Sequence, residues 1–209
     1  MIRLDLAAAA RTRLYELLAR PFEFPEVNAV NGFIDGSWGR EVNEVLASLE
    51  LAPADPALQL DVDAESFEIE FIRLFEVGLG GAPCPLHSGY HKRDRMKDLE
   101  EVVRFYRFFD YDAQRTADKF PDHLAFELNF MAHLTRHEAG SGSTVESLRR
   151  AQYDFLERHL VHYLPRLVRG VDERSEIGFV RDMAGLAQRF IAEDLAALRQ
   201  EVQVKVQNA

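Results

Sequence analysis

Apolar residues recur along this chain at helical spacing. Leu4, Leu6, Ala7, Ala10, Leu14, Leu17 and Leu18 predict a first amphipathic helix that ends before Pro21. The prolines and Gly32 between Arg20 and Asp35 allow a loop with at most a short helix. A helix is predicted from Trp38 to Leu49, ending before Pro53, and another over Asp61 to Glu76, where Phe67, Phe71, Leu74 and Phe75 form one stripe. The remaining faces of that helix carry Asp61, Asp63, Glu65, Glu68, Glu70 and Glu76 against the single cation Arg73. From Gly78 to Tyr90 the glycines and prolines predict a loop, heavy enough to pack through Leu86, His87 and Tyr90.

The next helix runs from Asp94 to Phe109 with Leu99, Val102, Val103, Tyr106 and Phe109 inward, and with Lys92, Arg93, Arg95 and Lys97 crowding its start. After a link over Tyr111 to Lys119, Pro121 suits the first turn of a helix reaching His137. Gly140 to Ser143 reads as a turn, and Ser143 with Glu146 as a capping box for a helix that stops at Pro165. A last helix spans Ser175 to Leu198. No stretch alternates with a period of two, so the fold class is all-α, a single-domain bundle of about seven helices. Residues 1–209 form one domain, with an N-terminal half at 1–110, a hinge at 111–120 and a C-terminal half at 121–209.

A chain of 209 residues with 29% charged residues can bury a sizeable core. A net charge of -10 and a pI near 5.2 argue against nucleic acid as a partner and favour a cationic one. One cysteine, Cys84, excludes an intramolecular disulfide and fits a reducing compartment. No apolar run is long enough to span a bilayer, and Asp5, Arg11 and Arg13 interrupt the apolar N-terminus at helical spacing. These features predict a cytoplasmic protein.

The polar residues of the central helix allow two chemical readings. His123 with Glu127, and His133 with His137, are each spaced four apart and invite a metal site or a small helical enzyme. The two pairs lie roughly 80° and about 15 Å apart on an ideal helix, so they cannot share one ion. They lack the Glu-x-x-His and His-Glu-x-x-His patterns. His133 and His137 are then core residues. Cys84 between two prolines lacks a nucleophile signature, and the loop at Gly78 to Gly81 lacks the Gly-Lys-Ser/Thr ending of a phosphate cradle. Neither catalysis nor a cofactor is called for.

The order of motifs adds a resemblance. Glu70-Phe-Ile-Arg-Leu-Phe75 closes an acidic helix, a loop follows with Pro83, Pro85 and Gly89-Tyr90, then Pro121-Asp-His-Leu124 with Glu127-Leu128 and Phe130. With Gln152-Tyr-Asp-Phe-Leu156 and His159, this arrangement over roughly residues 65 to 165 resembles the TorD/DmsD/NarJ family of molybdoenzyme maturation chaperones. Within it the chain is most similar to the ethylbenzene, dimethyl sulfide or selenate type. Cys84-Pro85-Leu86-His87 departs from the aromatic residue and Ser or Glu that many relatives place there.

The resemblance implies a noncatalytic cytoplasmic chaperone. It would hold the catalytic subunit of a molybdenum oxidoreductase, through its twin-arginine signal region, until cofactor insertion, and would be a monomer or an exchange dimer. It places partner binding on two walls: Glu70, Phe71, Arg73, Leu74 and Phe75 with the loop residues Pro83, Pro85, His87 and Tyr90, and Asp122, His123 and Glu127 opposite.

Overall fold

A computed structural model describes residues 2–54, 58–111, 120–140 and 145–207. The described residues form an all-α bundle without strands. Its helices are α1 (Leu4–Ala19), α2 (Val27–Ile34), α3 (Ser37–Ser48), α4 (Ala64–Phe71), α5 (Arg95–Phe108), α6 (Leu124–Gly140), α7 (Val145–Phe155), α8 (Val161–Arg174) and α9 (Gly178–Gln207). This is a finer division than about seven helices because the pieces are set off by tight or wide turns. Arg20–Phe22 and Ser88–His91 wind as 3-10 turns, while Ile72–Glu76 and Leu156–Leu160 wind as π turns that extend α4 and join α7 to α8. Most of the predicted link and the predicted capping residue Ser143 lie outside the described residues.

The central helix is α6, with α1 lying along it and α7 beside it. Eleven of its residues, among them Leu124, Leu128, Phe130, Met131 and Leu134, are buried, which explains why its sequence is apolar on more than one face. Thr12 of α1 donates to Thr135 of α6 at 2.9 Å, a polar contact inside an otherwise apolar seam. The stripe Phe67, Phe71, Leu74 and Phe75 is buried, as its spacing requires. Phe33, Trp38, Phe67 and Phe179 pack as edge-on or tilted rings, and Trp38 Nε1 donates to the Leu17 carbonyl at 3.0 Å.

Four local expectations are corrected. Pro121 does not open the central helix: residues 120–123 form a turn closed by the His123 N–H on the Phe120 carbonyl at 3.1 Å, and α6 starts at Leu124. The Leu124 N–H goes instead to the Leu86 carbonyl at 2.8 Å, so a long-range bond outcompetes one more helical residue. Pro165 does not stop its helix but lies exposed inside α8. Its missing N–H forfeits one helical bond, and the break in winding falls just upstream, in the Leu156–Leu160 π turn. The last helix starts at Gly178 rather than Ser175, whose hydroxyl is taken by Glu70. Finally, His137 is exposed and His133 only half-buried, its Nε2–H donating to the Phe109 carbonyl at 2.8 Å, so neither is a core residue.

Arg11 had been placed with the charges that interrupt the first helix, yet it is fully buried. Its guanidinium bonds Asp194 of α9 at 2.6 and 2.9 Å and Glu138 of α6 at 2.9 Å, and it also donates to Gln152 of α7. Tyr15 donates to the same Asp194 at 2.6 Å, and Arg149 donates to Glu138 at 2.7 Å. Burial alone would lower the Arg11 pKa, but Asp194 outweighs it and keeps the guanidinium charged. Four helices are thus tied at one charged knot.

Candidate functional site: a loop pinned onto the start of the central helix

The loop between α4 and α5 is held at both ends. The Cys84 N–H donates to the Leu74 carbonyl at 2.8 Å, anchoring it to the end of the acidic helix. The Ser88 N–H donates to the Asp122 carbonyl at 2.9 Å, and His87 and His123 form an isolated antiparallel bridge. The loop is therefore a strap that joins the two regions expected to be opposing walls.

Asp122 is the pin. It is buried at 1% exposure, its Oδ2 accepts the Gly89 N–H at 3.1 Å, and its Oδ1 lies 3.1 Å from His87 Nδ1. Its carboxylate serves the strap rather than the first helical turn. His123 takes that turn instead: its carbonyl accepts from Glu127 at 3.1 Å and its Nδ1 accepts the Ala125 N–H at 3.2 Å. Gly89 is required by close approach, since a Cβ there would lie 2.6 Å from Arg95 Cγ and 2.9 Å from Asp122 Oδ2.

Above this pin the surface is aromatic. Tyr90 and Phe120 are exposed at 58% and 56%, with the half-buried His87 ring 6.1 Å from each. The Arg95 guanidinium carbon lies 4.3 Å from the Tyr90 centroid and 5.3 Å from that of Phe120. Pro83 is exposed and Pro85 half-buried on the strap.

Below the pin lies a buried polar layer. Asp98 of α5 accepts from Ser88 Oγ at 2.7 Å and from Lys92, and lies 3.2 Å from His159 Nδ1. Burial opposes its ionisation, but the bonds from His159, Lys92 and Ser88 prevail and lower its pKa to about 2. Glu127 is fully buried, its Oε2 accepting the Tyr163 hydroxyl at 2.7 Å while Oε1 has no partner among the described residues. Burial pushes its pKa up to about 8, the Tyr163 bond opposes this, and nearby Asp98 and Asp122 reinforce it. Glu127 is therefore largely a neutral acid at neutral pH.

The other predicted site residues lie at the far anchor. Phe71, Leu74 and Phe75 are buried, and Glu70 is buried with them, so these residues support the strap from beneath. Glu70 accepts from Ser175 Oγ at 2.9 Å, the Glu176 N–H at 2.8 Å and Arg73 Nε at 2.8 Å, and Arg73 also donates to the Arg174 carbonyl at 2.7 Å. Burial would raise the Glu70 pKa, but these bonds outweigh it and hold it below the ordinary value. The residues actually exposed on α4 are Glu65, Ser66, Glu68 and Ile69. Among the described residues no group of three or more His, Cys, Asp or Glu is placed to hold a metal ion. Of the residues spaced for a metal, Glu127 accepts from Tyr163 and His133 donates to a carbonyl.

Arg95, Phe120, Asp98, Tyr163 and Lys92 were missed as parts of one assembly. Their only sequence signal was the odd crowding of cations at the start of α5, and His159 was visible only as part of a motif.

Comparison with known proteins identifies the family of the chain. The model of the family described as nitrate reductase delta subunit matches residues 36–169, more than half the chain. The selenate reductase assembly chaperone of Thauera selenatis is 34% identical over 163 residues, covering 76% of this chain and 75% of that protein. The perchlorate reductase assembly chaperone of Dechloromonas aromatica is 34% identical over 196 residues, covering 87% of each. The dimethyl sulfide dehydrogenase assembly chaperone of Rhodovulum sulfidophilum is 33% identical and covers 90% of this chain and 84% of that one. Among solved structures, a candidate redox enzyme maturation protein from Archaeoglobus fulgidus shares the fold with a TM-score of 0.56 at 18% identity, over 87% of this chain and 93% of that one. The chain therefore belongs to the nitrate reductase delta subunit family, the TorD/DmsD/NarJ family that its motif order resembles, on the branch with the selenate and dimethyl sulfide assembly chaperones.

Proposed function

We propose that this protein is a noncatalytic cytoplasmic chaperone. It binds the catalytic subunit of a molybdenum oxidoreductase at its twin-arginine signal region and holds it for cofactor insertion before export. The observation that carries this reading is the pinned strap, where buried Asp122 fixes His87 and Gly89 beneath the exposed rings of Tyr90 and Phe120. An exposed aromatic pair on a rigid base is a recognition surface rather than a catalytic one. The related proteins named as assembly chaperones of reductases and dehydrogenases support the choice of partner.

A twin-arginine signal combines two arginines with an apolar stretch. Burying one Leu or Phe of that stretch contributes about 1.5–3 kcal/mol, whereas an exposed ion pair contributes about 0–1 kcal/mol. Affinity then comes mostly from the rings. The exposed acids of α4, with the net charge of -10, raise the association rate and lose that effect in salt. The hinge at 111–120 between the two halves belongs to the same proposal.

The test is a calorimetric titration of the signal peptide of whichever oxidoreductase subunit co-purifies with the chaperone. Tyr90→Ala/Phe120→Ala should weaken binding at least about tenfold, since it removes two ring contacts, with an unchanged melting temperature. Equal affinity in both proteins would take the strap out of the binding site.

A further inference from the structure

Arg95 is an unusual residue where it stands. It opens α5, where the positive end of the helix dipole disfavours a cation. Among the described residues its guanidinium makes no ion pair, and it is held by the faces of two aromatic rings, Tyr90 and Phe120. Room for its stem is kept by Gly89, whose missing side chain would otherwise meet Arg95 Cγ. The chain thus presents two aromatic faces suited to a guanidinium, already occupied by its own arginine.

We propose that Arg95 is a resident ligand of an arginine-binding cage, and that an arginine of the partner's signal replaces it on Tyr90 and Phe120. The proposal rests on the signal-binding reading above and adds its specificity and its regulation. A planar guanidinium stacks on aromatic faces, whereas the ammonium of lysine is compact and strongly hydrated, so the cage prefers arginine to lysine. In the absence of a partner, Arg95 shields part of two rings that stay 58% and 56% exposed. Exchange of one guanidinium for another leaves the cation–π contacts nearly balanced, so the net affinity from the rings comes from the signal's apolar stretch packing on their exposed area. Release then requires no unmade contact, and the cost of displacing Arg95 lowers affinity for peptides that engage the cage alone.

The experiment compares wild type, Arg95→Ala, Arg93→Ala and Tyr90→Ala/Arg95→Ala, each confirmed folded by its melting curve. Each is titrated with a signal peptide bearing Arg-Arg and with its Lys-Lys counterpart. Arg95→Ala should bind the Arg-Arg peptide about two- to fivefold more tightly, the range of an exposed cation–π contact. It should gain little for Lys-Lys, and Tyr90→Ala/Arg95→Ala should lose the gain. An unchanged or weaker Arg-Arg affinity in Arg95→Ala overturns the proposal, and so does an equal gain in Arg93→Ala, which would reduce the effect to net charge. If wild type binds neither peptide, the signal reading itself falls. The cage is then decided by N-acetyl-arginine amide: a shift of the Tyr90 ring resonances in Arg95→Ala and not in wild type sustains it, and no shift in either overturns it.

Discussion

Glu127→Gln should change the pH dependence of stability more than stability at any one pH. The Glu127 carboxyl is fully buried, takes one hydrogen bond from Tyr163 and faces Asp98 and Asp122, which together with burial lift its pKa from 4.5 to about 8. Between those values the folded protein keeps a proton that the unfolded chain releases. Stability contributed by this group is therefore complete below the unfolded pKa and is lost as pH rises through the folded one. At about 1.4 kcal/mol per pH unit, the full window is worth about 5 kcal/mol, of which roughly 3–4 kcal/mol falls between pH 5 and pH 8. Gln does not titrate and can still accept from Tyr163. Its amide N–H groups would stand where Oε1 has no partner among the described residues, at a pH-independent cost of about 1–3 kcal/mol. Urea unfolding of both proteins at half-unit steps should give curves that cross, with wild type more stable near pH 5 and the variant more stable near pH 8. A stability difference that stays flat over this range would mean that Glu127 is ionised throughout, and would refute the description of the layer beneath the strap.

Two further substitutions test the framework. Gly89→Ala should destabilise the protein by about 1–3 kcal/mol, because the added methyl meets both Arg95 and Asp122. Hydrogen exchange should then quicken at the Ser88 and Leu124 amides while the α1–α6 seam stays protected. Arg11→Met should cost about 3–5 kcal/mol in a denaturant melt, since it leaves Asp194 buried without its cation while Glu138 keeps only Arg149.

The all-α class was legible because burial in a bundle imposes its period on the sequence. Phe67, Phe71, Leu74 and Phe75 announce a helix face regardless of what covers it. The family was legible from the order of short motifs, which survives where no single one is decisive. Pro121 misled because a proline fits a helical first turn and a preceding turn equally well, and the choice was made by Leu86, distant in sequence. Arg11 misled for a similar reason. A charge on an apolar stripe reads as solvent-facing unless its counter-ion is known, and Asp194 lies 183 residues away. His133 and His137 show the limit of spacing arguments: spacing separates them from His123 and Glu127 but does not say how deep they lie. Glu70 belongs to the acidic helix by sequence and to the α8–α9 turn by contact, so a run of acids conceals one that is structural.

The Arg11 knot also sets an order of events during synthesis. A chain emerging from the ribosome presents α1 first, and its buried cation lacks the two bonds to Asp194 until α9 is made. Until then, the seam between α1 and α6 closes with Glu138 as the carboxylate partner of Arg11, and the two bonds to Asp194 are unmade. The last helix therefore acts as a latch, and a nascent or shortened chain that ends before Asp194 holds its first helix loosely enough for a protease to reach.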